Sequence, residues 1–191
     1  MDFTLQTATP ADWLNVVLTD FDRFLLDHAS CEKKASGMAM SMISHYPDRP
    51  LLIREMLDLA LEELQHFRKV MCIILERGLQ AGPDSRDDYV NQLRAAMDQG
   101  SSAYLRDRLL VASIVEARGA ERFGLIAAAL PPGHMQTFYQ GITDSEQRHY
   151  QLFLRLAEAH CPGPETEQRL EQLLLLEAAI IEQLPLRPAL H

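Results

Sequence analysis

Apolar positions recur at helical spacing along nearly the whole chain, and the alternating β-branched runs that mark strands are missing. Prolines and glycines fall mostly between the apolar stripes and punctuate them. Thr9-Pro10 followed by Asp12 predicts a short leading helix with proline at its first position. A long helix is predicted from about Asp20 to Tyr46, stopped by Pro47, and a second from Pro50 to about Arg77, closed by Gly78. Residues 79–100 read as a connection carrying a short helix around Asp87–Met97. Two more long helices follow, about Ser102–Leu130 before Pro131-Pro132 and about His134–His160 before Pro162. A last helix, about Glu165–Leu184, precedes a tail, Pro185–His191.

Linker lengths predict the architecture. The first and second long helices, and the third and fourth, are joined by only a few residues, so each pair reads as an antiparallel hairpin. The connection between the pairs exceeds twenty residues, enough to cross a bundle. Two hairpins with one long crossover is the ferritin-like form of the all-α four-helix bundle, with extra peripheral helices. The expectation is one domain over 1–191, with the bundle core at about 20–160, a C-terminal helix at about 165–184 and a tail at 185–191.

Composition narrows the function. At 191 residues and 47% hydrophobic, the chain can bury a core without disulfides or a structural metal. Acids outnumber bases 27 to 18, which excludes a polybasic nucleic-acid clamp and argues against binding an anionic membrane. The three cysteines, Cys31, Cys72 and Cys161, show no Cys-x-x-Cys spacing and fit a reduced cytoplasmic protein. The N-terminus lacks the pattern of a secretory signal. The greasiest run, Leu173–Ile181, is interrupted by Glu177 and is too short to span a bilayer.

Two Glu-x-x-His pairs stand out, Glu63 with His66 and Glu146 with His149. Their height along the helices gives them meaning. Glu32 precedes Pro47 by 15 residues and Glu63 follows Pro50 by 13, so both lie about 20 Å from that turn. Glu116 precedes Pro131 by 15 residues and Glu146 follows Gly133 by 13, repeating the design in the other hairpin. All four acids interrupt stripes of apolar and small residues, where packing alone would call for leucine. Four such carboxylates without counter-charge would repel one another and resist desolvation. A dinuclear metal centre resolves this, and a Glu/His set without thiolate suits iron, with manganese as the alternative. The predicted ligands are Glu32, Glu63, His66, Glu116, Glu146 and His149, with Glu63 and Glu146 able to bridge.

Other residues are weaker candidates. His28, one turn before Glu32, could support that carboxylate or be a satisfied buried histidine. Glu62 and Asp144 could orient ligand imidazoles or be ordinary helix-surface acids. Ser113 flanks Glu116, while Gly119 and Ala120 stand where several hydroxylases carry a hydroxyl residue, leaving proton delivery unassigned. No side chain beyond the metal ligands is predicted to be catalytic. A peroxidase of the rubrerythrin kind would bring a Cys-x-x-Cys iron site, absent here. A radical site of the ribonucleotide-reductase kind wants tyrosine where Val70 stands.

The chain resembles the tRNA 2-methylthio-N6-isopentenyladenosine hydroxylases, the MiaE type, from about Asp20 to His160. The resemblance lies in the blocks Leu26–Ala35, Glu63–Phe67, Glu116–Phe123 and Ser145–Tyr150, although Gly119-Ala120 replaces the Ser-Cys of many members. It implies a non-haem di-iron site that uses O2 and two electrons to hydroxylate the isopentenyl group on adenosine 37 of certain tRNAs. The same six ligands carry over position by position. It also implies tRNA as substrate and an unidentified electron-donor protein as partner, with no membrane role. The net charge of −9 is in tension with a tRNA substrate. Lys33, Lys34, Arg68, Lys69, Arg118, Arg122, Arg148 and Arg155 lie near the ligands in sequence and are expected to point largely outward. They could form a local patch for one splayed anticodon-loop base, or pair with neighbouring acids such as Glu62, Glu121 and Glu158. Two alternatives stay open: a ferritin-like di-metal oxidase or peroxidase without a nucleic-acid substrate, and a metal-free helical interaction module.

Overall fold

The computed structural model describes residues 1–84 and 86–191, with 101 and 102 as helical backbone only, so position 85 of the expected connection lies outside the described residues. Seven helices and no strand occur among the described residues: α1 (Ala11–Thr19), α2 (Phe21–His45), α3 (Pro50–Glu76), α4 (Asp88–Ala95), α5 (Ser101–Ala129), α6 (His134–His160) and α7 (Pro164–Gln183). No helix among the described residues is long and apolar enough to cross a membrane.

The chain divides into two compact units, one formed by 15–86 with 187–190 and the other by 1–14 with 87–186 and 191. The first is the α2/α3 hairpin with its connection and tail. The Asp20 carboxylate accepts from the Arg23 amide at 3.3 Å to start α2, and Pro50 opens α3. Gly78, at φ +73°, ends α3 in the left-handed conformation that a side chain disfavours. Its amide donates to the Leu75 carbonyl and that of Leu79 to the Ile74 carbonyl, satisfying the last turn. Phe24, Leu25, Met42, Leu52, Met56 and Ile74 are fully buried. Ser36 Oγ donates to the Ala60 carbonyl at 2.9 Å and ties the two helices at mid-height.

The second unit is built around α5, which packs on α4, α6 and α7. A helix with neighbours on three sides buries nearly every face, and Leu105, Leu109, Leu110, Ile114, Phe123 and Ile126 are all inside. Gly133 and Gly163, at φ +157° and +126°, precede α6 and α7. Asp107, fully buried in this core, accepts from Arg169, from Arg106 and from the Asp98 amide.

Candidate metal centre

In the α2/α3 unit, Glu32 projects from α2, and Glu63 and His66 lie one turn apart on α3. All three are at least 96% buried. One potential ligand atom from each lies within 4.8 Å of the others. His66 Nδ1 stands 3.6 Å from Glu32 Oε2 and 3.5 Å from Glu63 Oε2. His28, fully buried one turn before Glu32, makes a 2.6 Å hydrogen bond from Nε2 to Glu32 Oε1. Glu62 flanks the cluster, its Oε1 4.0 Å from His66 Nε2.

Charge in this cluster is strongly coupled. Burial alone would raise the Glu32 carboxyl, but hydrogen bonds from His28 and His66 outweigh it and hold that group well below the usual carboxylate range. Burial would likewise depress His66, yet Glu32 and Glu63 push its imidazole up to about 10. Two buried carboxylates thus recruit a proton onto the nearest base, the behaviour of a site that calls for a cation.

The second unit carries the matching set. Glu116 comes from α5, and Glu146 and His149 from α6, again buried, with one potential ligand atom of each within 4.8 Å of the others. His149 Nδ1 lies 3.8 Å from Glu146 Oε2. Each unit therefore offers two carboxylates and one imidazole and no thiolate, a donor set that fits iron.

The weaker candidates separate. His28 contacts a predicted ligand directly. Ser113 Oγ donates to the Tyr150 carbonyl at 2.9 Å, joining α5 to α6 beside His149. Asp144 is exposed and accepts from Gln140 Nε2 at 2.9 Å, so it is engaged on the helix surface.

The expected outward orientation fails for Arg118 and Arg122. Arg118 is fully buried and donates through Nε and Nη2 to the two oxygens of the equally buried Glu177, at 2.8 and 3.0 Å. It also donates to Glu121 and to the Thr7 carbonyl. Arg122 is 4% exposed, donates to Thr9 Oγ1 and lies 4.9 Å over the Trp13 ring. Both guanidiniums are consumed inside their unit, which removes them from any tRNA-contacting surface. Lys33, Arg68, Lys69, Arg148 and Arg155 are exposed and Lys34 is partly so. Lys33 pairs with Asp84 at 2.7 Å, and Arg148 donates to the Asp144 carbonyl and Ser145 Oγ.

Sequence reading passed over Glu177, Thr9 and Tyr89 as functional partners. Tyr89 Oη donates to Glu177 Oε1 at 3.0 Å, completing a buried network around Arg118. The signal was the interruption of the Leu173–Ile181 run by a glutamate, since an acid at a core position requires a partner.

Comparison with known proteins identifies the family. The sequence profile described as tRNA-(MS[2]IO[6]A)-hydroxylase (MiaE) matches residues 1–191. The chain is 34% identical over 182 residues to the tRNA 2-(methylsulfanyl)-N(6)-isopentenyladenosine(37) hydroxylase of Pseudomonas putida, covering 95% of this chain and 88% of that one. It is 33% identical over 132 residues to the Salmonella typhimurium protein of the same name, covering 69% and 48%. Among solved structures, a Synechococcus protein described as having aldehyde deformylating oxygenase activity superposes with a TM-score of 0.92. It is 33% identical, with 98% of this chain and 93% of that one covered. The all-α, ferritin-like fold class expected from helix order is the one found.

Proposed function

This chain belongs to the tRNA-(MS[2]IO[6]A)-hydroxylase (MiaE) family, and on that premise we propose the reaction it catalyses and the residues that carry it. The reaction is hydroxylation of the isopentenyl group of 2-methylthio-N6-isopentenyladenosine at position 37 of tRNA. The residues we assign to a non-haem di-iron centre are Glu32, Glu63, His66, Glu116, Glu146 and His149, with manganese as the competing metal. The observation that carries this reading is the repetition, in each unit, of a buried Glu converging with a buried Glu-x-x-His pair to within 4.8 Å.

When bound, such a centre supplies O2 activation: one oxygen atom enters a C–H bond to give the alcohol, the other leaves as water, and two electrons and two protons come from outside. The protein's residues do the rest. The carboxylates supply the negative charge that retains the metal, and His28 holds the Glu32 carboxylate in one orientation. Apolar neighbours such as Leu59, Val70, Phe123 and Ile142 are buried and exclude water around the ligand-bearing turns. The proposed reaction calls for an electron-donor protein, and a tRNA substrate together with three free cysteines supports a cytoplasmic location.

The test is a nucleoside comparison. Deleting the gene in a cell that makes the hydroxylated nucleoside should abolish it and leave the isopentenyl precursor in its place, read by mass spectrometry of digested tRNA. Unchanged levels of the hydroxylated nucleoside would overturn the assignment. Metal analysis after anaerobic Fe(II) loading should give about two irons per chain.

A further inference from the structure

Each unit carries its own copy of the ligand pattern, and the two copies correspond position by position. Glu32, Glu63 and His66 match Glu116, Glu146 and His149, with the same spacing in each Glu-x-x-His pair. The residues one turn before the ligands do not match. His28 precedes Glu32 by four residues, and its Nε2 is 2.6 Å from Glu32 Oε1. Four residues before Glu116 stands Ala112, buried and without a polar side-chain atom. Glu62 precedes His66 by four residues, and its Oε1 lies 4.0 Å from His66 Nε2, while the other ring nitrogen faces Glu32 and Glu63. Four residues before His149 stands Ser145, whose Oγ accepts from the Arg148 guanidinium at 2.9 Å.

These differences act in one direction. The bond to His28 fixes the Glu32 carboxylate in advance, so less side-chain freedom is lost when a metal binds. A carboxylate beside the outer nitrogen of His66 makes that imidazole a stronger donor to a cation. At the matching place before His149 the charge has the opposite sign, and a guanidinium there repels a cation. The helix backbone differs in the same sense. Gly119 stands three residues past Glu116 where Ala35 stands past Glu32, so the methyl that would pack on Glu146 Oε2 at 3.8 Å is missing. Outer partners of this kind typically change metal affinity about 10–100-fold when removed.

We propose that the two metal positions are unequal: the α2/α3 set takes the first ion and holds it at least about tenfold more tightly than the α5/α6 set, with His28 and Glu62 as the positioning residues that set the difference. The inference rests on the metal centre proposed above and adds an order of filling to it. At limiting iron the chain carries one ion, held by Glu32, Glu63 and His66. Uptake at Glu116, Glu146 and His149 then limits how much protein is fully loaded.

Anaerobic titration of Fe(II) into the full-length, metal-free protein, followed by calorimetry, tests this without turnover. Two steps of one ion each are expected, at least about tenfold apart in affinity. His149→Ala should keep the first step and lose the second, and His66→Ala should lose the first. Variants at the outer residues separate support of the metal from support of the fold. His28→Ala with Glu62→Gln should merge the two steps by weakening the first at least about tenfold, with the helical circular dichroism unchanged. Arg148→Gln, at an exposed position, should strengthen the second step alone. A single step of two equal ions in wild type overturns the proposal. So does a first step that survives His66→Ala but not His149→Ala, or one that the double variant leaves unchanged. No Fe(II) uptake by wild type overturns the metal centre as well, whereas two equal ions leave that centre standing and remove only the order of filling.

Discussion

Arg118 and Glu177 meet as a two-point pair in the middle of their unit, both at 0% exposure. The guanidinium is held firmly in its charged form: burial opposes this, but the hydrogen bonds and charge of Glu177 outweigh it. A pair this deep adds little net stability, yet removing one member strands the other charge in the core. Arg118→Met should therefore cost about 3–5 kcal/mol, while the double change Arg118→Met with Glu177→Leu should recover most of the loss. Urea unfolding of the two variants measures this, and a double variant no more stable than the single one would contradict it.

The proposed ligand set makes a different kind of prediction, because its members are assigned to the metal and not to the fold. Glu116→Ala should leave the helical circular dichroism intact and lose iron. Its affinity should fall by more than the roughly 10–100-fold that outer partners typically cost. The heat stability that iron adds to wild type should shrink in parallel, since a ligand that binds only the folded chain stabilises it by about 2.7 kcal/mol at a hundred times its dissociation constant. Retention of both iron equivalents in this variant would remove Glu116 from the ligands.

Sequence alone favoured a satisfied histidine at His28 over a support for Glu32, and the 2.6 Å bond to Glu32 sharpens the second expectation. His28→Ala should lower iron affinity about 10–100-fold while the chain stays folded. His28→Gln, which keeps a side-chain N–H donor, should recover part of it. Isothermal titration with Fe(II) under anaerobic conditions separates the three proteins, and equal affinities would show that the bond serves packing alone.

Much of this molecule was legible in advance, and what was hidden shares one cause. Helix limits came out within about two residues at most ends because they are written locally: Asp20 caps, Pro47 and Pro131 forbid continuation, and Gly78 takes the left-handed turn. The two Glu-x-x-His pairs and their partner glutamates were readable because height along a helix is arithmetic from the nearest turn. Arg118 was not readable. Its partner, Glu177, lies 59 positions away, and periodicity tells which face a residue occupies but not what that face meets. The same holds for much of α5: it packs on α4, α6 and α7, and at Arg118 and Arg122 the helix surface is buried, so these arginines have nowhere outward to point.

Asp107 gives the chain a defined acid weakness. Burial would raise this carboxyl, but Arg169, the Asp98 amide and Arg106 outweigh burial and hold it below its ordinary value of 3.8. A group whose folded pKa is depressed stabilises above its unfolded pKa and loses that stability as pH falls through the folded value. Asp107→Asn should thus cost about 1–3 kcal/mol near neutrality, and the difference from wild type should shrink progressively below pH 3.8. Denaturant melts across the acid range check the convergence, and curves that stay parallel would rule out this carboxylate as the source.

Gly119 lies three residues beyond Glu116 inside α5, where glycine is the costlier choice: it loses more freedom on folding than alanine and contributes no side chain. Its backbone does not require it, since the glycines with positive φ are Gly78, Gly133 and Gly163. Crowding does not require it either. A methyl at 119 would meet Glu146 Oε2 at 3.8 Å and Phe123 Cε2 at 3.9 Å, ordinary contact distances. Gly119→Ala should consequently stabilise the metal-free protein by about 0.5–1 kcal/mol. Gly124, five residues on, is a stricter case, because a methyl there would approach Thr143 Cγ2 to 3.6 Å. A smaller gain is expected at 124 than at 119, and thermal melts of the two alanine variants measure the order. Destabilisation at 119 would mean that α5 and α6 approach more closely around Glu146 than these distances allow, and that the glycine is there for packing.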